Sequence, residues 1–168
     1  MQIVFDASTA ILLAKADLLR QVVIKGEAWM PATVVREVTA KQSHDSRAIQ
    51  VLINEELIRS VRVKGGFLDL ARDFRLHAGE AESVALAREK KAVCATDDGP
   101  AIRCCKVLGV PFVTAIGFLV ALAEAQELEK GLALELVGTL ERFGRYNVRI
   151  LEDAARRIQA TLVEGEKP

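Results

Sequence analysis

Hydrophobic runs of strand length alternate with segments of helical periodicity along the chain. Four apolar runs predict strands: "QIVF" at 2–5, "AWMPA" at 28–32, "AVCAT" at 92–96 and "PFVTA" at 111–115. Each is followed by apolar residues at helical spacing, and a weaker run, "IRSVRV" at 58–63, predicts an extra or edge strand. Strands that alternate with helices indicate a mostly parallel sheet covered on both faces. We therefore expect an α/β fold with three layers.

Helical segments follow from periodicity and from boundary residues. They lie in "STAILLAKADLLRQVV" after the first strand, in "TVVREVTAK" with Thr33 as the predicted N-cap, at about 46–56 and 81–89, at about 100–108 closed by Gly109, in "GFLVALAEAQELE", and from 132 to about 163 with a break near "FGRYN". No internal repeat, linker or low-complexity stretch interrupts the pattern. We expect one domain over 1–168, with 132–168 as its C-terminal helical segment.

Composition narrows the class of protein. The 23 basic and 23 acidic residues cancel, so contact with nucleic acid would have to come from local patches. No apolar run approaches the roughly 20 residues that span a bilayer, and "MQIVFDAS" is typical of a first strand rather than a signal peptide. Cys94, Cys104 and Cys105 lack the spacing of a zinc site or a disulfide framework. Reduced thiols and no membrane segment predict a cytoplasmic protein.

Acidic residues recur where the predicted strands end and where helices begin. Asp6 directly follows the first strand, and Asp97 and Asp98 follow "AVCAT". Three more acids lie in the first turns of predicted helices: Glu37, Glu80 and Glu82. Because the carboxyl ends of parallel strands share one edge, four or five carboxylates would meet in one pocket. Their repulsion and desolvation would cost several kcal/mol without a counter-charge, and Mg²⁺ or Mn²⁺ supplies it.

Each acid also has a purely structural interpretation. Asp6 would cap a helix, Glu37 would be a solvated helix residue, and "TDDGP" would be a turn. Glu80 and Glu82 would be favourable first-turn charges against the helix dipole. The joint placement of all of them is what favours a metal site over these separate explanations.

Several segments together resemble the PIN-domain family of metal-dependent nucleases over nearly the whole chain. The matching segments are "VFDAS", "PATVVREV", "HAGEAESVALA", "CATDDGPAIRCCKVLGVPFVTAIGFL" and "LERFGRYNVRILEDA". The "GEAE" and "LGV…TAIGFL" segments are similar to a largely prokaryotic subgroup that includes VapC-like and uncharacterised proteins. The resemblance implies a three-layer α/β/α PIN-like fold with a central mostly parallel sheet.

The resemblance also assigns site residues. The four acidic positions of the family fall on Asp6, Glu37, one acid of "GEAE" and one acid of "TDD". The alanine spacing favours Glu82 with Glu80 as its neighbour, and the T-x-D spacing favours Asp98 with Asp97 as the alternative. Supporting hydroxyl groups next to the metal fall on Ser8 and Thr96. Glu at the third position, where the family more often has Asp, reaches one methylene further.

The implied activity is hydrolysis of phosphodiester bonds in single-stranded RNA, with Mg²⁺ or Mn²⁺ activating a water molecule. Phosphate contacts are expected from three cations on the flanking helices: Arg103, Lys106 and Lys15. His77, three residues before Glu80, is expected at a helix start or on the surface, with an assisting role near the site as the alternative. The scarcity of aromatic residues argues against recognition dominated by base stacking.

Biological context is implied by the same resemblance. The protein would act as the toxin of a toxin–antitoxin pair, with an antitoxin protein as partner, and would pair as a homodimer through helices. For "AILLAKADLL" a core-facing helix is favoured over a partner-binding face. The alternative function is a catalytically silent PIN-like scaffold that binds RNA or a protein partner. A receiver domain and D-x-D phosphohydrolases are disfavoured, because the adjacent aspartates come late and Asp6 is followed by Ala7 and Ser8.

Overall fold

A computed structural model describes residues 1–161 of the chain. Its strands form one sheet and lie at the predicted positions: β1 Gln2–Phe5, β2 Glu27–Pro31, β3 Ile58–Val61, β4 Val93–Ala95 and β5 Phe112–Val113. The strand order is β3-β2-β1-β4-β5, and every pair of neighbours is parallel. The predicted α/β class is confirmed, and the weak run at 58–63 forms the edge strand β3.

Ten helices are present in the described residues: α1 Ala7–Lys15, α2 Leu19–Val23, α3 Ala32–Thr39, α4 His44–Asn54, α5 Leu68–Phe74, α6 Ala78–Lys90, α7 Gly99–Leu108, α8 Ala115–Glu124, α9 Lys130–Phe143 and α10 Val148–Gln159. They and the sheet form a three-layer α/β/α fold. The chain groups into two compact units, Met1–Thr114 with all five strands and Ala115–Pro168 with α8 to α10. None of the helices in the described part combines the length and the hydrophobicity that crossing a bilayer requires.

Several helix boundaries differ from the prediction. The first predicted helix divides into α1 and α2 around Asp17, which has a left-handed backbone with φ of 54°. Thr33 is not an N-cap, because α3 already begins at Ala32 after Pro31. The helix predicted to begin at 81 begins at Ala78, and α5 was not predicted. The break near "FGRYN" separates α9 from α10, whereas the predicted helix end near Val163 lies outside the described residues.

The first unit is built around strands that are covered on both faces. Ile3, Val4 and Phe5 of β1 are all almost fully buried, as expected for a parallel strand between two helical layers. Helix α6 packs on β1, β2 and β4 and is flanked by α5 and α7, while α1, α2, α3 and α4 pack on one another. Leu12 and Leu13 of "AILLAKADLL" are buried, so this segment faces the core.

The order of the strands creates a switch point next to β1. The chain passes from β1 to β2 and β3 on one side and then returns to β4 on the other side of β1. Phe5 of β1 is in register with Ala95 of β4, so the residues that follow these two strands lie side by side. In open α/β sheets, ligands bind in the crevice outside the carboxyl ends of strands at such a point. A ligand site is therefore expected beside Asp6 and the residues after Ala95.

Candidate functional site

Asp6 is a buried carboxylate at the junction of β1 and α1. Its backbone N–H donates to the carbonyl oxygen of Ala95 at 3.0 Å, which continues the pairing of β1 with β4. The Oδ1 atom accepts hydrogen bonds from Ser8 Oγ at 2.9 Å and from the Thr9 N–H at 3.0 Å, so Asp6 caps α1. The Oδ2 atom accepts from the Thr96 hydroxyl. Asp6 is only 1% exposed, and burial raises its pKa to about 7 despite these hydrogen bonds.

The two aspartates after β4 are joined to the same network. The Asp97 N–H donates to Ser8 Oγ at 3.1 Å, and the Thr9 hydroxyl donates to Asp97 Oδ2 at 2.6 Å. The Asp98 N–H donates to Thr96 Oγ1 at 3.2 Å. Asp98 also caps α7, because its Oδ1 accepts from the Ala101 N–H at 2.7 Å. Hydroxyl groups thus connect Asp6 to both aspartates, and the charge of Asp97 adds to the rise of the Asp6 pKa.

A cavity of about 440 Å³ opens beside Asp6. Its walls come from the first turns of α1, from α3 and from the start of α6, and its lining consists of Asp6, Ala7, Ser8, Ile11, Val34, Glu37, His77, Gly79 and Glu80. Three of these side chains are carboxylates that the sequence places 31 and 43 residues apart, from Asp6 to Glu37 and from Glu37 to Glu80. The fold therefore brings distant acids to one hollow at the predicted edge of the sheet.

Gly79 allows Glu37 to approach the start of α6. A Cβ atom at Gly79 would lie 3.0 Å from Val34 Cγ2, which is tight, and 3.4 Å from Glu37 Oε2, which is van der Waals contact. Glu37 is an exposed residue, yet its carboxylate is directed at the backbone of α6. The absence of a side chain at Gly79 is what leaves room for this approach.

Glu80 is the acid of "GEAE" that lines the cavity. Its Oε2 atom accepts the His77 N–H at 2.8 Å, which ties it to the beginning of α6. Partial burial raises the pKa of Glu80, and the negative charges of Asp98 and Glu37 raise it further, whereas the His77 N–H opposes the shift. Glu37 and Glu80 line the same cavity, and the charge of Asp98 at the start of α7 also acts on Glu80.

Glu82, which the alanine spacing favoured as the site acid, does not line the cavity. It is 8% exposed, and its Oε1 atom accepts a hydrogen bond from the Thr33 hydroxyl at 3.1 Å. Arg36 Nη2 in turn donates to Thr33 Oγ1 at 3.2 Å. Because α6 begins at Ala78, Glu80 occupies its first turn and Glu82 lies further along, against α3. The structure thus places Glu80 at the cavity and Glu82 in a separate contact.

The three predicted phosphate-binding cations are distributed differently from the expectation. Arg103 Nη1 lies 3.7 Å from the position of a Cβ on Gly99, so the guanidinium lies near the first residue of α7, which follows Asp98. Lys106 lies in the last turn of α7 with its Nζ 5.7 Å from the Phe112 ring centre. Lys15, in the last turn of α1, has its Nζ 3.7 Å from an Asp45 oxygen.

Helix geometry separates the two lysines from the acids. With a rise of about 1.5 Å per residue, Lys106 lies about 12 Å along α7 from Asp98, and Lys15 lies about 13 Å along α1 from Asp6. Neither lysine lines the cavity. Arg103 does not line the cavity either, but its guanidinium lies near Gly99, the residue after Asp98, whereas Lys106 and Lys15 lie further along their helices.

Five other lining residues were not predicted as ligands, supporting residues or phosphate contacts: Ala7, Ile11, Val34, His77 and Gly79. A sequence signal existed for Ile11, since it lies three residues after Ser8 and four after Ala7, on one face of α1. Val34 and Glu37 are likewise three residues apart, on one face of α3. For His77 and Gly79 the signal was their position just before Glu80, but it required the correct start of α6.

The donor chemistry of the cavity fits a hard divalent cation. Carboxylate oxygens are the ligands that Mg²⁺ and Mn²⁺ prefer. A carboxylate has about four lone-pair sites, and three protein donors occupy Asp6, so one site is left for a ligand. Among residues 1–161, no three His, Cys, Asp or Glu side chains are already arranged to hold a metal ion. Closure around a cation would require Glu37 and Glu80 to turn toward Asp6.

The fold and the site define a class: a three-layer α/β/α domain with an acidic cavity at the switch point of a parallel sheet. A model of the DUF3368 family, described as a PIN domain, matches residues 2–163. The chain belongs to this PIN-domain family, whose members are generally nucleases that act on nucleic acid with divalent metal ions. No curated protein and no solved structure gives a significant match.

Proposed function

We propose that the protein is a metal-dependent endoribonuclease that hydrolyses phosphodiester bonds of single-stranded RNA. The observation that carries the proposal is the convergence of Asp6, Glu37 and Glu80 on one cavity in a PIN-domain fold. Carboxylates that share a cavity repel one another, and a divalent cation is the partner that would make their proximity favourable. Asp98, coupled electrostatically to Glu80, would complete the acidic edge.

The residues of this chain would have distinct roles in the reaction. Asp6, Glu37 and Glu80 would hold Mg²⁺ or Mn²⁺, with Asp98 or Asp97 as a further ligand. When bound, the cation would activate a water molecule and stabilise the charge of the leaving oxygen. The hydroxyl groups of Ser8 and Thr96 fix the orientation of Asp6 through its two oxygens. Arg103 would bind a phosphate next to the acids.

The test compares wild type with Asp6→Asn and Glu37→Gln on mixed-sequence single-stranded RNA. Reactions contain Mg²⁺, Mn²⁺ or EDTA, with DNA of the same sequence as a second substrate. We expect on the order of a 100-fold loss of cleavage in both variants and in EDTA. Glu135→Gln, which removes an exposed carboxylate of α9, is the matched control and should cleave like wild type. Cleavage that survives EDTA, or that Asp6→Asn retains, would refute the metal mechanism.

A binding measurement supports the assay without relying on turnover. Mg²⁺ or Mn²⁺ should raise the midpoint of thermal unfolding of wild type, because a ligand that binds only the folded state stabilises it. Asp6→Asn should show little of this increase. An equal increase in both proteins would place the cation elsewhere.

The resemblance to VapC-like proteins supports a more specific role, as the cytoplasmic toxin of a prokaryotic toxin–antitoxin pair that works as a homodimer. Expression of wild type and of Asp6→Asn in a bacterial host tests this role. Growth arrest by wild type alone, relieved by the product of a neighbouring gene, is the expected result. Harmless expression of an active nuclease would contradict the toxin role while leaving the nuclease proposal intact.

The second candidate is a catalytically silent scaffold that binds RNA or a protein partner. The observation in its favour is that the acids of the described residues are not arranged as a metal site and that three of them serve helix starts: Asp6, Asp98 and Glu80. RNA binding that is unchanged in Asp6→Asn, without cleavage under any metal condition, would favour this function.

A further inference from the structure

A basic segment lies where α9 ends and α10 begins. Residues 142–151, "RFGRYNVRIL", contain three arginines and no acidic residue, whereas the chain as a whole balances 23 basic against 23 acidic residues. Arg142 lies in the last turn of α9, Arg145 follows the end of that helix, and Arg149 is the second residue of α10. All three are exposed. This stretch, the α9–α10 segment, therefore carries a local positive charge.

Ion pairs do not neutralise the charge of the α9–α10 segment. Within residues 1–161, none of its three arginines has a carboxylate at ion-pair distance. Two acids of the same unit have other partners, since Asp153 pairs with Arg156 and Glu124 pairs with Arg157 at 2.8 Å. Arg149 also lies in the first turn of α10, where the helix dipole disfavours a positive charge. A bound polyanion would supply the missing counter-charge.

An exposed aromatic ring lies among the arginines. Phe143 is 48% exposed, and the Arg142 Cζ atom lies 5.8 Å from its ring centre, within the range of a cation–π contact. Val148 and Ile150, on either side of Arg149, are also exposed. Unpaired bases stack on aromatic rings and on guanidinium planes, while arginines bind the adjoining phosphates. The segment thus offers both kinds of contact that a single strand can use.

Contacts inside the second unit fix the backbone of the segment. The Tyr146 hydroxyl accepts the Ile116 N–H at 3.3 Å, and Asn147 Oδ1 accepts the Ile150 N–H at 3.0 Å. A Cβ atom on Gly144 would lie 2.6 Å from Tyr146 Cε2, so the Tyr146 ring lies directly against the backbone. Tyr146 and Asn147 therefore anchor the segment. A surface that is already in place loses less conformational entropy when it binds a ligand.

Two features favour RNA over an anionic lipid surface as the partner. The apolar face of α10 that would enter a membrane is buried within the protein, at Leu151, Ala154 and Ile158. All basic residues of the segment are arginines, whose planar guanidinium groups bind phosphate in a bidentate manner and stack on flat rings. A membrane surface needs only positive charge and apolar area, so arginines beside an exposed ring point to phosphates joined to bases.

We propose that the α9–α10 segment binds single-stranded RNA, with Arg145 and Arg149 on phosphates and Phe143 against an unpaired base. The inference goes beyond the proposed function, because none of these residues lines the acidic cavity and binding here requires neither a metal ion nor cleavage. The second unit would thus hold RNA through residues that take no part in the reaction.

The experiment measures binding of a fluorescent single-stranded RNA to the full-length chain by anisotropy, in EDTA to prevent metal-dependent cleavage. The test variant is Arg145→Gln with Arg149→Gln, and the matched control is Arg62→Gln with Arg88→Gln, which removes two exposed arginines elsewhere. We expect the test variant to bind about tenfold more weakly and to reduce the slope of log Kd against log salt by about 1.4, the value for two phosphate contacts. The control should keep the wild-type slope. Thermal unfolding verifies that both variants are folded.

Phe143→Leu tests the same surface without changing its charge. Leucine keeps an apolar side chain but has no flat face for stacking, so we expect binding of single-stranded RNA to weaken at least about fivefold with an unchanged salt slope. Leu132→Ala, which shortens another exposed apolar side chain of α9, is the control and should bind like wild type. Wild-type affinity in Phe143→Leu would contradict the contact with a base.

Other outcomes would reassign the segment. Equal salt slopes in the two double variants would overturn the proposal, as would equal affinity of wild type for single-stranded RNA and for a duplex of the same sequence. Cosedimentation with vesicles of phosphatidylserine and phosphatidylcholine tests the lipid alternative. Vesicle binding that requires Arg145 and Arg149, with RNA binding unchanged by their loss, would assign the segment to a membrane surface instead.

Cleavage and binding are measured separately, so this inference and the proposed function can fail independently. If wild type cleaves no RNA but binds it through Arg145 and Arg149, the nuclease proposal fails and the RNA-binding segment stands. If wild type cleaves RNA and the two double variants bind it equally well, the segment loses its assigned role and the nuclease proposal stands.

Discussion

At the scale of single residues, Asp6 has two roles that oppose each other. It caps α1 and joins β1 to β4, so the fold depends on its hydrogen bonds. It is also a carboxylate almost without solvent, which favours its neutral form. Ser8 and Thr96 offset part of this cost by donating to its oxygens. A bound cation would offset the rest of this cost. The cost of burying the Asp6 charge is therefore best measured in protein without metal.

The first prediction concerns Asp6→Asn in a buffer that contains a chelator. The pKa of Asp6 is about 7 in the folded protein and 3.8 for an ordinary Asp, so between these values the folded state binds more protons than the unfolded state. The free energy of unfolding of wild type should therefore fall as the pH rises from about 4 to 7 and remain low above 7. Asp6→Asn should show a smaller decrease, because the raised pKa of Glu80 contributes with the same sign, and should exceed wild type in stability at pH 8.

Urea unfolding at pH 5 and pH 8 measures the effect. Glu135→Gln is the control, because it also removes one negative charge but from an exposed site, and it should keep the pH dependence of wild type. A free energy of unfolding that decreases equally in wild type and in Asp6→Asn would show that other groups cause the decrease.

The second prediction separates the two acids of "GEAE". Glu80→Gln should reduce cleavage on the order of 100-fold, because it removes a carboxylate that lines the cavity. Glu82→Gln should change cleavage less than about threefold, because a Gln oxygen can still accept the Thr33 hydroxyl. Both substitutions keep size and hydrogen bonding, so kcat on RNA reports the charge alone. A larger loss in Glu82→Gln would assign the catalytic role to Glu82 instead.

The sequence predicted the meeting of Asp6 with Asp97 and Asp98 because strand ends are easy to place. Two parallel strands with an acid after each are sufficient for that inference. The choice of Glu82 over Glu80 rested on the alanine spacing of the resembled family, which carries no information about the face that α6 turns to the cavity. Successive helical residues point about 100° apart, so the packing of α6 decides that Glu80 lines the cavity and Glu82 meets α3.

At the scale of secondary-structure elements, the approach of α3 to α6 determines where Glu37 lies. Val34 and Glu37 are on the face of α3 that meets Gly79 at the start of α6. The sequence showed the glycine but not this contact, because helix packing depends on the tertiary path of the chain. The division at Asp17 was not predicted either, because helical periodicity continues through a residue whose left-handed backbone breaks the helix.

The third prediction tests this approach with Gly79→Ala. The new Cβ atom would lie 3.0 Å from Val34 Cγ2, so α3 must shift by a few tenths of an ångström and carry Glu37 with it, whereas 3.4 Å to Glu37 Oε2 is an ordinary van der Waals contact. We expect cleavage to fall about tenfold, since small displacements of site residues reduce catalysis strongly. The free energy of unfolding should change by no more than about 1 kcal/mol, because gained helix propensity offsets the strain.

Gly138→Ala provides the matched control for this substitution. Gly138 lies within α9, and nothing lies within 4 Å of the position of its Cβ atom. This variant should gain about 0.5–1 kcal/mol of stability without a change in cleavage. Full activity of Gly79→Ala would mean that Glu37 does not depend on close packing of α3 against α6.

At the scale of the whole molecule, the charge is balanced and attraction to RNA has to be local. The 23 basic and 23 acidic residues give a formal net charge of zero, and the cavity itself is acidic. A polyanion would be repelled from the carboxylates unless cations on the protein or in the site counter them. Of the three cations predicted from sequence, the structure leaves Arg103 at the acidic edge. RNA binding should therefore depend on where a cation lies rather than on the total charge of the protein.

The fourth prediction compares Arg103→Gln with Lys106→Gln, two substitutions on α7 that remove the same charge. Arg103→Gln should weaken RNA binding and reduce the slope of log Kd against log salt by about 0.7, the value for one phosphate contact to a single strand. Lys106→Gln should leave the slope unchanged, because its Nζ lies 5.7 Å from the Phe112 ring centre and its backbone is about 12 Å along α7 from Asp98. Anisotropy titrations at several salt concentrations, with Ca²⁺ in place of Mg²⁺ to limit cleavage, measure both slopes. Equal slopes in the two variants would indicate that RNA binding depends on the total charge of α7. Arg103 would then make no specific phosphate contact beside the acids.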